Sequence, residues 1–486
     1  MDFSNFLYLG QEAGLVILFV FLFLYDTFAS ENGKTQFQAI AVTLFAALTA
    51  FGLAESYCPF FQGGSETAFG GMFVRSDLTV FMKNILNVTT LMVFLQANGW
   101  LKSKETAVRQ GEFYTITLIT LLGMYLMISA NNFMLLYIGM ETASLPLACL
   151  CAYNKSNGKS AEAGVKYVFI SALSSGIMLF GLSFLYGALG SFYYADMAAN
   201  IVSTGFNELI IAGFVFFFAG LGFKLSLVPF HLWTADVYEG APTSVTAYLS
   251  VASKGAAAFA LIFALYEVFA PLQEVWINII WWLTVITITL GNLFAIRQKD
   301  IKRFFAFSSI SQAGYIMLGI IAGTTQGMIA MIFFVLVYLF SNMAAFGVIS
   351  AVENKNGGDT RITAFNGLYK TNPRLALVMM LAVFSLGGIP TLAGFFSKFF
   401  IFMAAAQQGQ YILVFIALLN TVVSLFYYLL IIKAMFIHEP ESDAVGAFKN
   451  NSYNNASLLF CVAGLLVIGF ISCIYSYIGT ISFGIA

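Results

Sequence analysis

The chain has 486 residues, of which 60% are hydrophobic and 17% aromatic, and only 9% are charged; an ordinary soluble domain carries about 25% charged residues. Mean hydropathy is +0.87, so the composition cannot supply a water-facing surface, and a formal net charge of −1 leaves no basic surface for nucleic acid. Five cysteines without a Cys-x-x-Cys pair, and two histidines, His231 and His438, argue against an iron–sulfur, zinc or multi-haem centre. No redox cofactor of the chain's own is expected.

The apolar runs are long and continuous, not alternating over about ten residues, which predicts helices and not a barrel. The expectation is an all-α polytopic membrane protein with about fourteen transmembrane helices of near 20 residues each. In chain order the spans are 7–28, 37–55, 78–98, 112–130, 132–152, 163–189, 207–228, 243–270, 275–296, 304–322, 326–351, 373–403, 410–436 and 456–481. The first has Glu12 in front, no basic leader and no small-residue cleavage site, which predicts a permanent helix and not a cleaved signal.

Lys and Arg set the orientation. The loops after odd-numbered spans hold Lys34; Lys102, Lys104 and Arg109; Lys155 and Lys159; Arg297, Lys299, Lys302 and Arg303; Lys355, Arg361, Lys370 and Arg374; and Lys449. The opposite side holds Arg75 alone. This asymmetry puts the lysine-bearing loops in the cytoplasm and both termini outside. A missed or false helix would have mixed the two sets.

Six lysines remain, all inside spans: Lys83, Lys166, Lys224, Lys254, Lys398 and Lys433, and Glu141 lies in the middle of the fifth span. A charge at mid-membrane costs about 2.5–3.5 kcal/mol on insertion scales. Lys83, Lys166 and Lys433 lie within two turns of a span end, where a long side chain can snorkel to the headgroups. Lys254 and Glu141 are near mid-span, and a glutamate is too short to snorkel far.

Lys224 and Lys398 sit beside helix breaks. The seventh span ends Gly222-Phe223-Lys224-Leu225-Ser226-Leu227-Val228-Pro229-Phe230-His231, and residues 231–238 offer a second half-helix. The twelfth contains Gly387-Gly388-Ile389-Pro390 and then Gly394-Phe395-Phe396-Ser397-Lys398. Breaks of this kind can serve packing alone. Two of them five spans apart, an odd number, predict an inverted five-helix repeat, the architecture of many translocators. Spans four to eight form one repeat and nine to thirteen the other, each with a broken helix. The resulting units are residues 1–111 (three helices), 112–270 (first repeat), 271–436 (inverted second repeat) and 437–486 (cytoplasmic loop and last helix). The match is imperfect. Glu141 has no acidic counterpart in the tenth span, where Tyr315 and Gln312 are the nearest polar groups, and the two break lysines fall on opposite sides of their prolines.

Unwound backbone at membrane depth needs protein or internal water around it, so water is expected near Lys224 and Lys398. Burial lowers the lysine pKa from its ordinary value of about 10.4, and a nearby carboxylate raises it again. A Glu–Lys pair of changing separation is therefore a proton switch. Glu141, Lys224, Lys254 and Lys398 define such a relay, with Lys166 as a bridge between Glu141 and Lys224.

Soluble-enzyme motifs fail. Asn157-Gly158-Lys159-Ser160 looks like the end of a phosphate loop, but Tyr153 stands where the first glycine is required. Cys149 and Cys151 read as small buried residues on different faces. His231, at the break, is either a relay member or a packing and capping group.

The stretch from Gly222 through Pro229-Phe230-His231-Leu232-Trp233 to Ala241-Pro242-Thr243, together with Gly387-Gly388-Ile389-Pro390-Thr391 through Gly394-Phe395-Phe396-Ser397-Lys398, resembles the antiporter-like membrane subunits of respiratory NADH:quinone oxidoreductase (complex I). The resemblance runs from about the fourth span to the thirteenth. Among the three subunits of that type it is most similar to the subunit N group. Three features carry this: Ala241-Pro242-Thr243-Ser244-Val245-Thr246 leading to Ser250-Val251-Ala252-Ser253-Lys254, a lysine and not a glutamate at 398, and no long lateral helix after the last span. Thr391 stands where a second proline is common.

The resemblance implies that Glu141 is the family's glutamate of the fifth helix, Lys224 its partner in the broken seventh, Lys254 the connecting lysine of the eighth and Lys398 the exit-side lysine of the twelfth. Lys166, in Lys166-Tyr167-Val168-Phe169, matches the sixth-helix lysine that modulates the pair. It further implies a subunit of a translocase in the bacterial inner membrane that moves protons outward. NADH, flavin, iron–sulfur clusters and quinone would be handled by other subunits. A sister antiporter-like subunit and a small polytopic subunit would pack alongside. Alternatives are a subunit of a multi-chain Na+(K+)/H+ antiporter, a membrane-bound hydrogenase or ferredoxin-linked complex, and a passive scaffold whose lysines serve packing. Neighbouring genes for quinone-site and NADH-binding subunits would favour the first reading.

Overall fold

The computed structural model describes residues 3–29, 31–55, 65–103, 106–205, 207–440, 445–471 and 473–482. The expected loop residue Lys104 lies outside these, as does the side chain of Lys34. Among the described residues thirteen helices are long and apolar enough to cross a membrane, and Pro373–Gly387 and Ala393–Gln407, end to end, supply the twelfth of the expected series in two pieces. The one sheet among them is a hairpin pairing Glu66–Ala68 antiparallel with Phe73–Arg75. The chain is all-α and polytopic.

The helix starts are written locally. Ser76 closes a capping box with Thr79 at the head of the third span (Asp77–Leu101). Asn132, Asn157 and Asn207 cap the fifth (Phe133–Cys151), sixth (Gly158–Leu189) and seventh (Glu208–Leu225) spans, and Asp300 and Thr324 the tenth (Ile301–Ile321) and eleventh (Thr325–Glu353). Each cap side chain satisfies an amide that the helix cannot. Asn157 and Ser160, part of the failed phosphate-loop match, have these structural tasks: Asn157 caps the helix and the Ser160 hydroxyl donates to the Cys151 carbonyl at 2.7 Å.

Neighbouring spans approach through small residues. A Cβ at Gly123 of the fourth span (Gln110–Ile128) would lie 2.4 Å from the Ala143 amide nitrogen of the fifth. This is the close backbone crossing that membrane helices use when lipid offers no hydrophobic drive between them. The eighth span (Thr243–Val268), the tenth and the eleventh are almost wholly buried, whereas the first, sixth and thirteenth (Tyr411–Phe436) present broad apolar faces outward. The inner three form the core that the polar side chains occupy.

Several features depart from the sequence reading. A short helix, Tyr194–Thr204, links the sixth and seventh spans. The eighth span carries two π-helical segments, Leu249–Ser253 and Ala264–Val268, and such segments frequently mark functional sites. The last span does not run to residue 481: it ends at Phe470, and Cys473–Ile481 is a separate short helix. Lys302 and Arg303, expected in a loop, belong to the first turn of the tenth span, and Lys302 is buried with its amine on the Ala241 carbonyl at 2.7 Å. Cys149 is exposed, against expectation, while Cys151 is buried.

Candidate functional site

Both expected breaks are present, and they share a design that spacing alone did not disclose. The seventh span stops at Leu225, Ser226 takes a left-handed conformation (φ 61°), and the chain resumes as Leu232–Gly240. Trp233 donates its indole N–H to the Phe223 carbonyl at 3.1 Å, and the Val228 amide donates to Thr287 Oγ1 at 3.1 Å. The freed backbone groups are thus partly satisfied by protein. In the twelfth span Gly388 (φ 82°) and Thr391 (φ 81°) make the turn, and the Gly394 amide donates to Ser385 Oγ at 3.2 Å.

Lys224 lies in the last turn of its half-helix. Lys398 belongs to the second half-helix, but its amine turns back toward the last residue of the first, 3.5 Å from the Gly387 carbonyl. Lys224 thus belongs to the carbonyl-end turn of one half-helix and the Lys398 amine reaches the carbonyl end of the other, where the backbone dipole favours a cation. The different placement of the two lysines about their prolines disappears at the level of the site.

Lys224, Lys254 and Lys398 are all buried, at 4%, 2% and 4% exposure. Each carries a tyrosine ring: Tyr167 at 5.6 Å from Lys224, Tyr238 at 5.6 Å from Lys254 and Tyr315 at 4.7 Å from Lys398, measured from Nζ to ring centre. Ring faces stabilise a desolvated cation. Lys224 also donates to the Tyr167 hydroxyl at 3.1 Å, and Lys254 to Ser309 Oγ at 2.8 Å. Lys254 is the residue that follows the first π segment of the eighth span.

Polar side chains fill the ground around Lys254 and Lys398. Asn342 donates to Ser250 at 2.6 Å, Ser308 and Tyr428 share a 2.5 Å bond, and Gln312 donates to the Tyr428 hydroxyl at 3.3 Å. Ser341 and Ser385 bond at 2.8 Å. A cavity of about 10 Å³ bordered by Gln312, Tyr338, Ser341, Ser397 and Lys398 has room for about one water. The hydroxyls of Tyr238, Ser311 and Tyr338 are buried with no hydrogen-bond partner among the described residues. Buried polar atoms of this kind ordinarily hold water.

Glu141 lies apart. It lines an open surface recess of about 290 Å³ with Ile119, Tyr137, Ile138, Thr142, Leu145 and Pro146, and its Oε1 has no hydrogen-bond partner among the described residues. Pro146 lies within the fifth span and cannot donate to the Thr142 carbonyl, which loosens the helix beside this carboxylate. No ion pair joins Glu141 to Lys224 among the described residues. The expected bridge is overturned. Lys166 does not stand between them: it is partly exposed and pairs with Asp236 at 2.5 Å and Glu162 at 2.6 Å. Successive helix residues point about 100° apart, so the inward position falls to Tyr167. Arg303 reaches Asp236 at 2.7 Å and Glu239 at 3.1 Å, and Lys159 reaches Glu239 at 2.9 Å. This cluster clamps the second half-helix to the sixth and tenth spans.

His231 begins the second half-helix, and no hydrogen bond links it to the lysines among the described residues. Lys433 is exposed, as a snorkelling residue would be. Lys83 does not snorkel; it is buried against Glu12 at 2.6 Å. The tyrosines were the main residues missed. Their signal was weak but present, since Tyr167 directly follows Lys166 and Tyr238 closes the segment after the first break.

Residues 130–424 match the family described as NADH:quinone oxidoreductase/Mrp antiporter, TM. A relative from Azobacteroides pseudotrichonymphae, NADH-quinone oxidoreductase subunit N, is 67% identical over the whole of this chain and 99% of its own length. The chain belongs to the subunit N family of NADH-quinone oxidoreductases. A chain of respiratory complex I from Thermus thermophilus shares 28% identity with this subunit N homologue, at a TM-score of 0.79 over 98% of this chain and 99% of that one. A chain of the Mrp complex from Dietzia sp. superposes at a TM-score of 0.87, covering 98% of this chain and 97% of that one, with 20% identity. That likeness concerns the fold alone. Within the subunit N family this chain is thus a multi-pass membrane subunit of a multi-subunit respiratory enzyme. Among the described residues no group of three or more His, Cys, Asp or Glu side chains is placed to hold a metal.

Proposed function

We propose that this chain is a proton-translocating subunit of NADH:quinone oxidoreductase, carrying protons from the cytoplasm to the outer side while NADH oxidation and quinone reduction take place in other subunits. The observation that carries the reading is the set of three buried lysines, two beside the interrupted helices and one behind a π segment, with buried hydroxyls and amides around them. Such groups are costly at this depth unless hydrated or paired, and a passive scaffold would be served as well by leucine.

A proton entering from the cytoplasm meets Lys224 or Lys254 first. Tyr167 and Ser309 hold the amines of Lys224 and Lys254, and the Gln312–Tyr428–Ser308 group offers lone pairs for the transfer toward Lys398. Glu141, when its helix brings it toward Lys224, favours the charged amine; when it stands away, Lys224 releases its proton. Both termini face outward, the inverted repeats cover 112–270 and 271–436, and the recess at Glu141 faces a neighbouring membrane subunit of the complex. Similarity to relatives named subunit N supports this assignment over a cation/proton antiporter.

Lys254→Ala tests it. In inside-out vesicles carrying the whole complex, proton uptake per NADH oxidised is expected to fall by about tenfold or more, since no other ionisable group stands on the middle of the eighth span; unchanged uptake would return the lysines to a packing role. Lys34→Ala, on the cytoplasmic side, is expected to leave uptake and assembly at wild-type levels, and a large loss there would contradict the assigned location of the pathway.

A further inference from the structure

The first half of the broken twelfth span, Pro373–Gly387, and the last span, Ser452–Phe470, both start from loops whose Lys and Arg mark the cytoplasmic side. The last span closes tightly on the break, where a Cβ at Gly469 would lie 3.0 Å from the Ala393 amide nitrogen and 3.2 Å from the Thr391 carbonyl oxygen. Toward the cytoplasmic side the two helices part. An open groove of about 1000 Å³ lies between them, with residues 447–450 of the connecting segment at its end.

The two walls repeat one pattern. Arg374, Leu377, Val378 and Leu381 recur at i, i+3, i+4 and i+7 and so share a face of the half-helix, and Asn455, Leu458, Leu459 and Val462 do the same on the last span. Each stripe begins polar and turns apolar within about 10 Å along the helix. Hydrogen bonds hold the polar end together. Asn372, which is buried, donates to the Gly446 carbonyl at 3.0 Å and accepts from the Phe448 amide at 3.1 Å, while Asn450 donates to Asn455 at 2.8 Å. The connecting segment is thereby tied to both helices, and Lys449 borders the same groove as Arg374. Nearby Lys370 is already paired with Glu439 at 2.6 Å. Neither the Arg374 nor the Lys449 side chain has a hydrogen-bond or ion-pair partner among the described residues, and no acidic residue among them lines the groove.

Two unpaired cations at the head of an apolar trough match a molecule with an anionic head and a hydrocarbon tail. A water-soluble anion would leave the apolar walls uncovered, and an uncharged lipid would leave the cations unanswered. We propose that this groove binds an anionic phospholipid of the cytoplasmic leaflet, with its phosphate between Arg374 and Lys449 and an acyl chain along Leu377, Val378, Leu458 and Val462. Basic pockets between membrane helices on the cytoplasmic side take anionic headgroups for this reason, and the planar guanidinium suits a phosphate. The lipid fills the space beside the half-helix whose last residue, Gly387, meets Lys398, and so braces that half-helix. Binding of this kind does not depend on proton transfer through the chain.

The test uses the whole complex with a photoreactive phenylalanine derivative in place of Leu459, which is 72% exposed at the rim of the groove. The complex is purified in detergent and placed in nanodiscs of phosphatidylglycerol or, separately, of phosphatidylcholine with the same acyl chains; NADH oxidation checks that it is intact. After illumination the adducts on this chain are identified by mass spectrometry. The expected result is a phospholipid adduct formed about tenfold more from phosphatidylglycerol, the preference that two cations facing an anionic headgroup supply. Arg374→Gln/Lys449→Gln is expected to bring the two yields within about twofold of each other, and Lys449→Gln alone to lower the preference by about threefold. Where the double variant fails to assemble, the single variant decides. Equal yields from the two lipids in the otherwise unchanged complex, a preference that the variants leave intact, or no lipid adduct overturns the proposal. An adduct to a neighbouring subunit in place of lipid also overturns it and identifies a protein as the occupant.

Discussion

Glu141→Ala and Lys224→Ala are each expected to abolish NADH-driven proton pumping while the complex still assembles. Lys224 is buried with its amine on Tyr167, at the carbonyl end of the seventh-span half-helix. Alanine leaves the Tyr167 hydroxyl without this donor but removes a charge whose insertion at mid-membrane costs about 2.5–3.5 kcal/mol, so folding is not expected to suffer. Glu141 stands at a recess and makes no ion pair among the described residues, so its loss removes no structural contact of consequence. Under the proposed mechanism, what both variants remove is the alternation between a paired and a separated state. Uptake of protons into vesicles, measured beside NADH oxidation and the amount of intact complex, checks this. Wild-type uptake in both variants would leave the scaffold reading in place.

Gly394→Ala is expected to break the twelfth span and prevent assembly. A Cβ at this position would lie 1.8 Å from the Ser385 carbonyl oxygen and 2.7 Å from its hydroxyl. The obstacle is backbone of the opposing half-helix, which cannot rotate away as a side chain does, so the two halves must separate at a cost of about 1–3 kcal/mol or more. Separation would also draw Lys398 from the Gly387 carbonyl and open the Ser341–Ser385 bond. Gly176→Ala on the sixth span is the control, since nothing lies within 4 Å of its added Cβ. Native electrophoresis of solubilised membranes is expected to show intact complex for the control and little or none for Gly394→Ala. Equal amounts would mean that the half-helices slide apart freely and that the break is not held where it is found.

The helices were legible because hydrophobic length and Lys/Arg placement are local properties. Both follow from what one segment can bury, and neither needs knowledge of its neighbours. Breaks at Pro229 and Gly388 were legible for the same reason: a missing donor or a left-handed turn is a property of the residue itself. Ends were less so. The last span stops at Phe470 although apolar residues continue, and Lys302 reads as a loop cation yet is buried under Ala241.

The direction of each polar side chain was not written in this way. Lys166 and Tyr167 are adjacent, and only the packing of the sixth span against the seventh decides that the tyrosine meets Lys224 while the lysine faces Asp236. Lys83 and Lys433 had equal claims to snorkel. Lys83 is buried because Glu12, 71 positions earlier in sequence, is brought to 2.6 Å, whereas among the described residues no such partner meets Lys433. The sequence by itself determined that the chain is all-α and polytopic, where its helices are interrupted and which ionisable groups fall within its apolar stretches, since the properties of single segments govern all three. The tertiary structure decided which of those groups pair, which share a hydrogen-bonded thread and which turn back to the surface. A charge in a low-dielectric interior is ruled by the few atoms within several ångströms of it, and those atoms come from distant parts of the chain.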